Sequence, residues 1–280
     1  MTFDLKAELK KTSVVKEDTS KLAALILGPS GGGKSTAIGS LGVKTMLLYT
    51  RGENHAPAAA KMYGGKNIVP ICLDYVDGET LNPSQTLKRC MDILGSTEAI
   101  KAEGFKAVVI DSATELEAMI KGSQTFINMV GGNDFKKADV AVDMMRAIIL
   151  KLIDLQREIG IHYVVTCALD VKELSQNGEI IDAQPKLVGY RLAENLVQMF
   201  SDVIVVGAMS NGDDVQHRFQ FASGVSKQQK DKAGGIKKTV NFRPRLTSVD
   251  LTKVLEPHGT TAADFKILME MKKGTYKKDG

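Results

Sequence analysis

The sequence predicts an α/β protein in which helices flank a mostly parallel central sheet, with late antiparallel strands. Two observations favour this fold class. Short apolar runs, typical of strands buried on both faces, alternate with longer segments of helical periodicity. The 280 residues are 43% hydrophobic and 25% charged, a globular composition that excludes disordered, collagen-like and coiled-coil chains. Strands that alternate with helices in this way pair in parallel through βαβ units.

The predicted strands are short, and the early ones contain apolar runs. The first, Leu22–Leu27, consists only of apolar residues, and the run Ala107–Ile110 leads directly into Asp111. Gln216–Ala222 is predicted as a late antiparallel strand, and Asn177-Gly178 marks a hairpin turn. The remaining predicted strands are Thr45–Tyr49, Ile68–Leu73, Ile161–Cys167 and Val203–Val206.

The predicted helices are bounded by glycine and proline. Pro83 lies in the first turn of Pro83–Glu103, and Gly104 stops that helix. Asp139–Ile159 carries apolar residues at helical spacing and ends at Gly160. The remaining predicted helices are Lys34–Leu41, His55–Tyr63, Ser112–Lys121 and Arg191–Phe200.

Charge and cysteine content restrict the class of protein. The net charge of +4 is too small by itself to establish nucleic-acid binding. Cys72, Cys90 and Cys167 lie far apart, which argues against a disulfide framework or a zinc site and favours a reducing compartment. No apolar run could span a bilayer and no signal peptide is visible, so we expect a cytoplasmic protein without a membrane segment.

Three parts are predicted along the chain: an N-terminal arm (1–20), an α/β core (21–224), and a basic C-terminal segment with a tail (225–280). The basic residues of the last part concentrate in Lys227–Arg245, around Gly234-Gly235, and in Lys272–Lys278. We expect the former to be a flexible basic loop and the latter a disordered, solubilising tail.

A glycine-rich turn follows the first predicted strand. Residues 28–35 fit the phosphate-loop pattern G-x-x-x-x-G-K-[ST] without a mismatch. Glycine allows the positive φ angles with which backbone N–H groups wrap a polyphosphate. In this pattern Lys34 reaches the β- and γ-phosphates and Ser35 binds Mg²⁺. No N-K-x-D guanine motif is present, which favours ATP. The predicted binding residues are Gly28, Pro29, Ser30, Gly31, Gly32, Gly33, Lys34, Ser35 and Thr36.

Acidic residues complete the predicted site. Asp111 ends a buried strand at the carboxyl edge of the sheet, where an aspartate holds Mg²⁺ through its water shell. The alternative is that Asp111 or Ser112 caps the next helix. A hydrolase also needs a group that orients or deprotonates water. Glu53, just beyond the second predicted strand, is a candidate for that base, and Glu115 lies further on. The alternative for Glu53 is an exposed loop acid.

With these motifs, the sequence resembles the RecA-like P-loop ATPase family over roughly residues 22–206. The family's second strand is matched by a segment that looks like it, Thr45–Tyr49. The stretch Glu53-Asn54-His55-Ala56 looks like the family's catalytic glutamate with the start of its short helix, and Ala60–Gly64 looks like the end of that helix. Val108–Ser112 is similar to its metal-binding strand. The resemblance implies a RecA-like P-loop NTPase core in which Lys34, Glu53 and Asp111 are catalytic. Thr166 stands near the position of the family's γ-phosphate sensor.

The chain looks most like the core-only RecA-like proteins of bacteriophages, which are nucleotide-binding or single-strand annealing proteins. This implies Mg²⁺-dependent ATP hydrolysis on single-stranded DNA in phage recombination or annealing. It also implies a homo-oligomeric ring or filament in the host bacterial cytoplasm. The alternatives are an ATP-dependent clamp or helicase-loading factor with little turnover, and a small-molecule P-loop kinase.

Two loops occupy the positions of the family's DNA loops, Gly122–Lys137 and Asp170–Lys186. Phe126 and Phe135 in the first are either base-stacking rings or core residues. The late basic segment is a candidate to contact DNA phosphates or to place a finger in a neighbour's ATP site, the alternative being a solvated charged face. The residues concerned are Lys237, Lys238, Arg243 and Arg245.

Overall fold

The computed structural model describes residues 20–132, 136–187, 190–211, 214–221, 224–230, 235–242, 244–247, 249 and 260–276. Its strands are β1 (Ala23–Gly28), β2 (Thr45–Tyr49), β3 (Ile68–Cys72), β4 (Tyr75–Val76), β5 (Glu79–Thr80), β6 (Ala107–Asp111), β7 (His162–Leu174), β8 (Ile180–Pro185), β9 (Asp202–Asn211), β10 (Asp214–Gln220), β11 (Gly224–Lys230), β12 (Ile236–Phe242) and β13 (Thr260–Ala262). Its α-helices are α1 (Lys34–Gly39), α2 (Ala56–Gly64), α3 (Pro83–Leu94), α4 (Thr97–Ala102), α5 (Ala113–Gly122), α6 (Gln124–Val130), α7 (Lys137–Ile159), α8 (Tyr190–Gln198) and α9 (Phe265–Lys273).

The central sheet is mostly parallel, as the sequence predicts. Strands β3, β2, β6, β7, β1 and β9 lie side by side in that order, and every neighbouring pair is parallel. Strand β10 then pairs antiparallel with β9, and β13 pairs antiparallel with β10. The α/β fold class and the late antiparallel strand are therefore confirmed. This strand order brings the carboxyl ends of β1, β7, β6 and β2 to one edge.

A second group of strands grows from the end of β7. Gly28, the last residue of β1, is opposite Ala168, and β7 continues to Leu174. The predicted hairpin forms there, because the extension pairs antiparallel with β8. Strand β11 adds to β8 in parallel, and β12 pairs antiparallel with β11. The prediction of a flexible loop over Lys227–Arg245 is therefore wrong for its described residues, most of which lie in these two strands.

The core explains why β1 has no polar position. Leu25 and Leu27 pack on one face of the sheet, in a cluster that also contains residues of α3, α5, α7 and α8. Ala24 and Ile26 pack on the other face, with residues of α1, α2 and α9. Successive residues of a strand point to opposite faces, so a strand covered on both sides is apolar throughout.

Two helical predictions need correction. The single helix predicted over Pro83–Glu103 is two helices, because α3 ends at Leu94 and Gly95 caps it before α4 begins. The loop predicted over Gly122–Lys137 contains α6, which starts at the Ser123 cap. Phe126 of this helix is only 6% exposed and belongs to the core, so its core alternative is the correct one. Phe135 lies outside the described residues.

The end of the described chain is packed against the core. Phe265 and Leu268 of α9 are fully buried in the cluster that contains α1. The Lys272 side chain is 1% exposed and its ammonium lies 2.7 Å from a carboxylate oxygen of Asp202 on β9. The prediction of a solubilising tail from Lys272 onward is therefore wrong at its first residue, which is a buried ion-pair partner.

Candidate functional site

The phosphate-loop sequence forms a tight connection between β1 and α1. The backbone N–H of Gly32 donates to the Pro29 carbonyl at 3.1 Å, which closes a turn in the loop. At Gly28 a Cβ atom would lie 2.7 Å from the Val206 carbonyl oxygen, so only glycine fits beside β9. Ser30 and Gly31 are exposed at the loop tip, and the described backbone passes directly from this turn into the helix.

Gly33 is the most constrained position of the loop. It caps α1 with a φ of 96°, and a Cβ atom there would lie 2.5 Å from the ring of His217 on β10. Both the backbone angle and the close ring require glycine. His217 was not predicted as part of the site, and its local sequence gives no signal. It reaches the loop only because β10 pairs with β9 at the side of β1.

Gly33→Ala is expected to lower the free energy of unfolding by more than Gly104→Ala. Gly104 also has a positive φ, 71°, but a Cβ atom there would have no described atom within 4 Å. An alanine held at a positive φ costs roughly 1–2 kcal/mol of stability at either position. Only Gly33→Ala adds the clash between the new Cβ atom and His217. Urea unfolding of both variants measures the difference, and equal losses would contradict the packing of His217 on the loop.

Lys34 folds back over the loop that precedes it. Its ammonium donates to the carbonyl oxygens of Gly28 and Pro29, each at 2.9 Å. Burial lowers the pKa of this amine, and the nearby charges of Asp111 and Glu53 oppose that shift. The predicted site residues Lys34, Asp111 and Glu53 are thus close enough to influence one another.

Asp111 is the centre of the site. It ends β6, is 1% exposed, and accepts a hydrogen bond from the Ser35 hydroxyl at 3.1 Å. The hydroxyl of Thr166, on the neighbouring strand β7, donates to its other oxygen. Burial raises the pKa of the Asp111 carboxyl, and the bond from Thr166 and the charge of Lys34 partly offset this. The capping alternative applies instead to Ser112, which is the cap of α5.

Glu53 lies in the short 3₁₀ turn Arg51–Glu53 that follows β2. The Ser112 hydroxyl donates to its Oε1 at 3.1 Å. Burial and the charge of Asp111 raise the pKa of Glu53, while the bond from Ser112 and the charge of Lys34 lower it. The glutamate is therefore half-buried at the site and differs from the exposed loop acid that was its alternative.

The oxygen atoms at this edge fit a magnesium ion. Ser35 and Asp111 supply a hydroxyl and a carboxylate, and Mg²⁺ is held by one or two such groups together with water and phosphate oxygens. Within the described ranges no group of three or more His, Cys, Asp and Glu side chains forms a cage for a metal ion. A Mg²⁺ ion at this edge would be held by Ser35 and Asp111, with other oxygen ligands completing its coordination.

Arg245, one of the predicted late basic residues, holds the end of a helix. It donates to the carbonyl oxygens of Val197 and Phe200, at 2.9 and 2.7 Å, and so caps the end of α8. Lys237 and Lys238 lie in β12, but their side chains are outside the described part, as is all of Arg243. The predicted roles of these residues at DNA or at a neighbour's site stay predictions.

Comparison with known proteins does not assign the chain to a family. No protein-family model matches the chain, and no curated protein matches it. Over the described residues, no helix is long and apolar enough to cross a membrane.

Proposed function

We propose that this protein binds ATP with Mg²⁺ and hydrolyses it as a RecA-like P-loop ATPase. The observation that carries the proposal is the contact between Ser35 and Asp111. It joins the phosphate loop to the acidic end of β6, although the two residues are 76 positions apart in the chain. Thr166 and Glu53 add a second hydroxyl and a second carboxylate to the same edge.

Each residue has a role that follows from its surroundings. The loop N–H groups and the Lys34 ammonium bind the phosphates, and Ser35 and Asp111 are the residues that would hold Mg²⁺. When bound, Mg²⁺ neutralises charge on the phosphate oxygens. Glu53 accepts the proton of the attacking water, and the raised pKa of its carboxyl suits a general base. Thr166 orients Asp111 through its hydrogen bond.

We also propose that the ATPase acts on single-stranded DNA in phage recombination or annealing, as a ring or filament of identical subunits. The resemblance over roughly residues 22–206 and the basic composition of residues 225–280 support this part. A cation from a neighbouring subunit would stabilise the transition state, so turnover is expected to rise on assembly. A clamp or loader with little turnover, and a small-molecule kinase, are the competing outcomes of the tests.

Lys34→Ala is expected to weaken Mg²⁺-ATP binding by about 10- to 100-fold, the loss of a hydrogen bond to a charged group. Titration with a fluorescent ATP analogue, with and without Mg²⁺, measures the affinity. Lys88→Ala is the matched control, because Lys88 is exposed and pairs with Asp92 one turn along α3. Equal affinity in the two variants would contradict the assignment of the phosphate loop. ADP formation that requires a nucleoside or sugar acceptor would favour the kinase.

A further inference from the structure

The turn that carries Glu53 is held at its first residue by Asp74. This aspartate follows β3 and is only 7% exposed. It accepts hydrogen bonds from the Arg51 backbone N–H at 2.9 Å and from the Arg51 Nε at 3.2 Å. Two bonds to one residue fix both the backbone and the side chain of Arg51, and so the start of the turn.

The carboxylate of Glu115 on α5 lies beside the middle of the turn. A Cβ atom at Gly52 would lie 2.5 Å from the Glu115 carboxylate, so the carboxylate rests directly on the turn. The Thr50 hydroxyl also donates to Glu115, at 3.4 Å. Gly52 itself is exposed, so Glu115 contacts the turn from one side only.

The last residue of the turn, Glu53, is held by Ser112. A serine hydroxyl has one hydrogen to donate, and Ser112 donates it to Glu53 Oε1 at 3.1 Å. The serine oxygen also accepts the Glu115 backbone N–H at 3.4 Å, at the start of α5. Ser112 directly follows Asp111 and is 1% exposed. The dipeptide Asp111-Ser112 thus contributes to the predicted metal site through Asp111 and contacts the predicted base through Ser112.

We propose that Ser112 is a positioning residue for the general base, an inference that rests on the proposed function. Its hydroxyl occupies Oε1 of Glu53 and leaves Oε2 to take the proton of the attacking water. The bond also ties the direction of the Glu53 carboxylate to the end of β6, where Asp111 lies. Turnover therefore depends on Ser112, whereas nucleotide affinity, which the loop and Lys34 supply, does not.

Ser112→Ala is expected to lower kcat by about 10- to 100-fold, the scale of a misplaced reacting group, with Mg²⁺-ATP affinity unchanged. Ser123→Ala is the matched control. Ser123 is also 1% exposed and also caps a helix, but its hydroxyl bonds the Ile120 carbonyl and the Phe126 N–H instead of Glu53. Both variants lose a helix cap and a similar amount of stability, so only Ser112→Ala should lose turnover.

The double variant Ser112→Ala/Glu53→Gln tests whether Ser112 acts through Glu53. If it does, the double variant turns over ATP no more slowly than Glu53→Gln alone. A further loss in the double variant, or full turnover in Ser112→Ala, overturns the positioning role while leaving the ATPase proposal intact. Full turnover in Glu53→Gln overturns the assigned base, and the role of Ser112 with it.

Discussion

Glu53→Gln is expected to lower ATP turnover by about 10²- to 10⁴-fold, the usual contribution of a general base, while Mg²⁺-ATP affinity stays nearly unchanged. The amide keeps the size of the side chain and can still accept the hydrogen bond of Ser112. It cannot take a proton from water. Steady-state ATP hydrolysis together with equilibrium nucleotide binding separates the two effects, because a misfolded site would lose both.

Two further substitutions make this result specific. Glu98→Gln on α4 makes the same chemical change on the surface and should leave turnover as it is. Glu115→Gln tests the other carboxylate beside the turn, which contacts Thr50 and Gly52. If Glu115→Gln stopped turnover and Glu53→Gln did not, the base would have been assigned to the wrong carboxylate. Little turnover in the unaltered protein, with tight ATP binding, would favour the clamp or loading factor.

The pH dependence of kcat is a second, independent test of Glu53 as the general base. Glu53 must be ionised to accept a proton, and burial together with Asp111 raises its pKa. The acid limb of kcat is therefore expected above the pH range of an ordinary glutamate and is lost in Glu53→Gln.

Repeating the assay with single-stranded DNA over a salt titration tests the DNA proposal, since phosphate contacts by Lys and Arg weaken as salt rises.

Local patterns were sufficient to predict the parallel core. Runs such as Met46–Leu48 are apolar because helices cover both faces of the sheet, and that signal is contained in the run itself. The pattern of residues 28–35 and the buried run before Asp111 also predicted that Lys34, Ser35 and Asp111 lie close together, as they do. These residues lie near one another because the carboxyl ends of parallel strands meet at one edge of the sheet.

The features that were missed depend on partners distant in sequence. Strand β11 is polar, and it forms a strand because it pairs with the edge of β8. His217 meets Gly33 through the pairing of β10 with β9, and Asp74 meets Arg51 through the alignment of β3 with β2. The contacts of Arg245 were also missed. Its partners are two main-chain carbonyl groups at the end of α8, and a main-chain group leaves no pattern in the sequence.

Lys272→Met is expected to lower the free energy of unfolding by about 3–5 kcal/mol, the loss on breaking a buried ion pair. The Asp202 and Lys272 side chains are 0% and 1% exposed, and their charged atoms lie 2.7 Å apart. Without the ammonium, Asp202 keeps the hydrogen bonds from the backbone N–H groups of Ala23 and Thr247 and the nearby charge of Arg245. These groups do not replace an ammonium in direct contact, so the buried carboxylate is left without its ion-pair partner.

Lys273→Met is the matched control, because Lys273 is exposed on the same helix and surface changes usually stay within about 0.5 kcal/mol. Adding Asp202→Asn to Lys272→Met removes the buried charge that has lost its ion-pair partner and should recover part of the loss. Urea unfolding followed by circular dichroism measures all three. Because Asp202 joins β9 to β1, to Thr247 and to α9, the loss should appear in the main unfolding transition. Equal stability of Lys272→Met and Lys273→Met would contradict the docking of α9, whereas a large difference means that α9 folds with the central sheet.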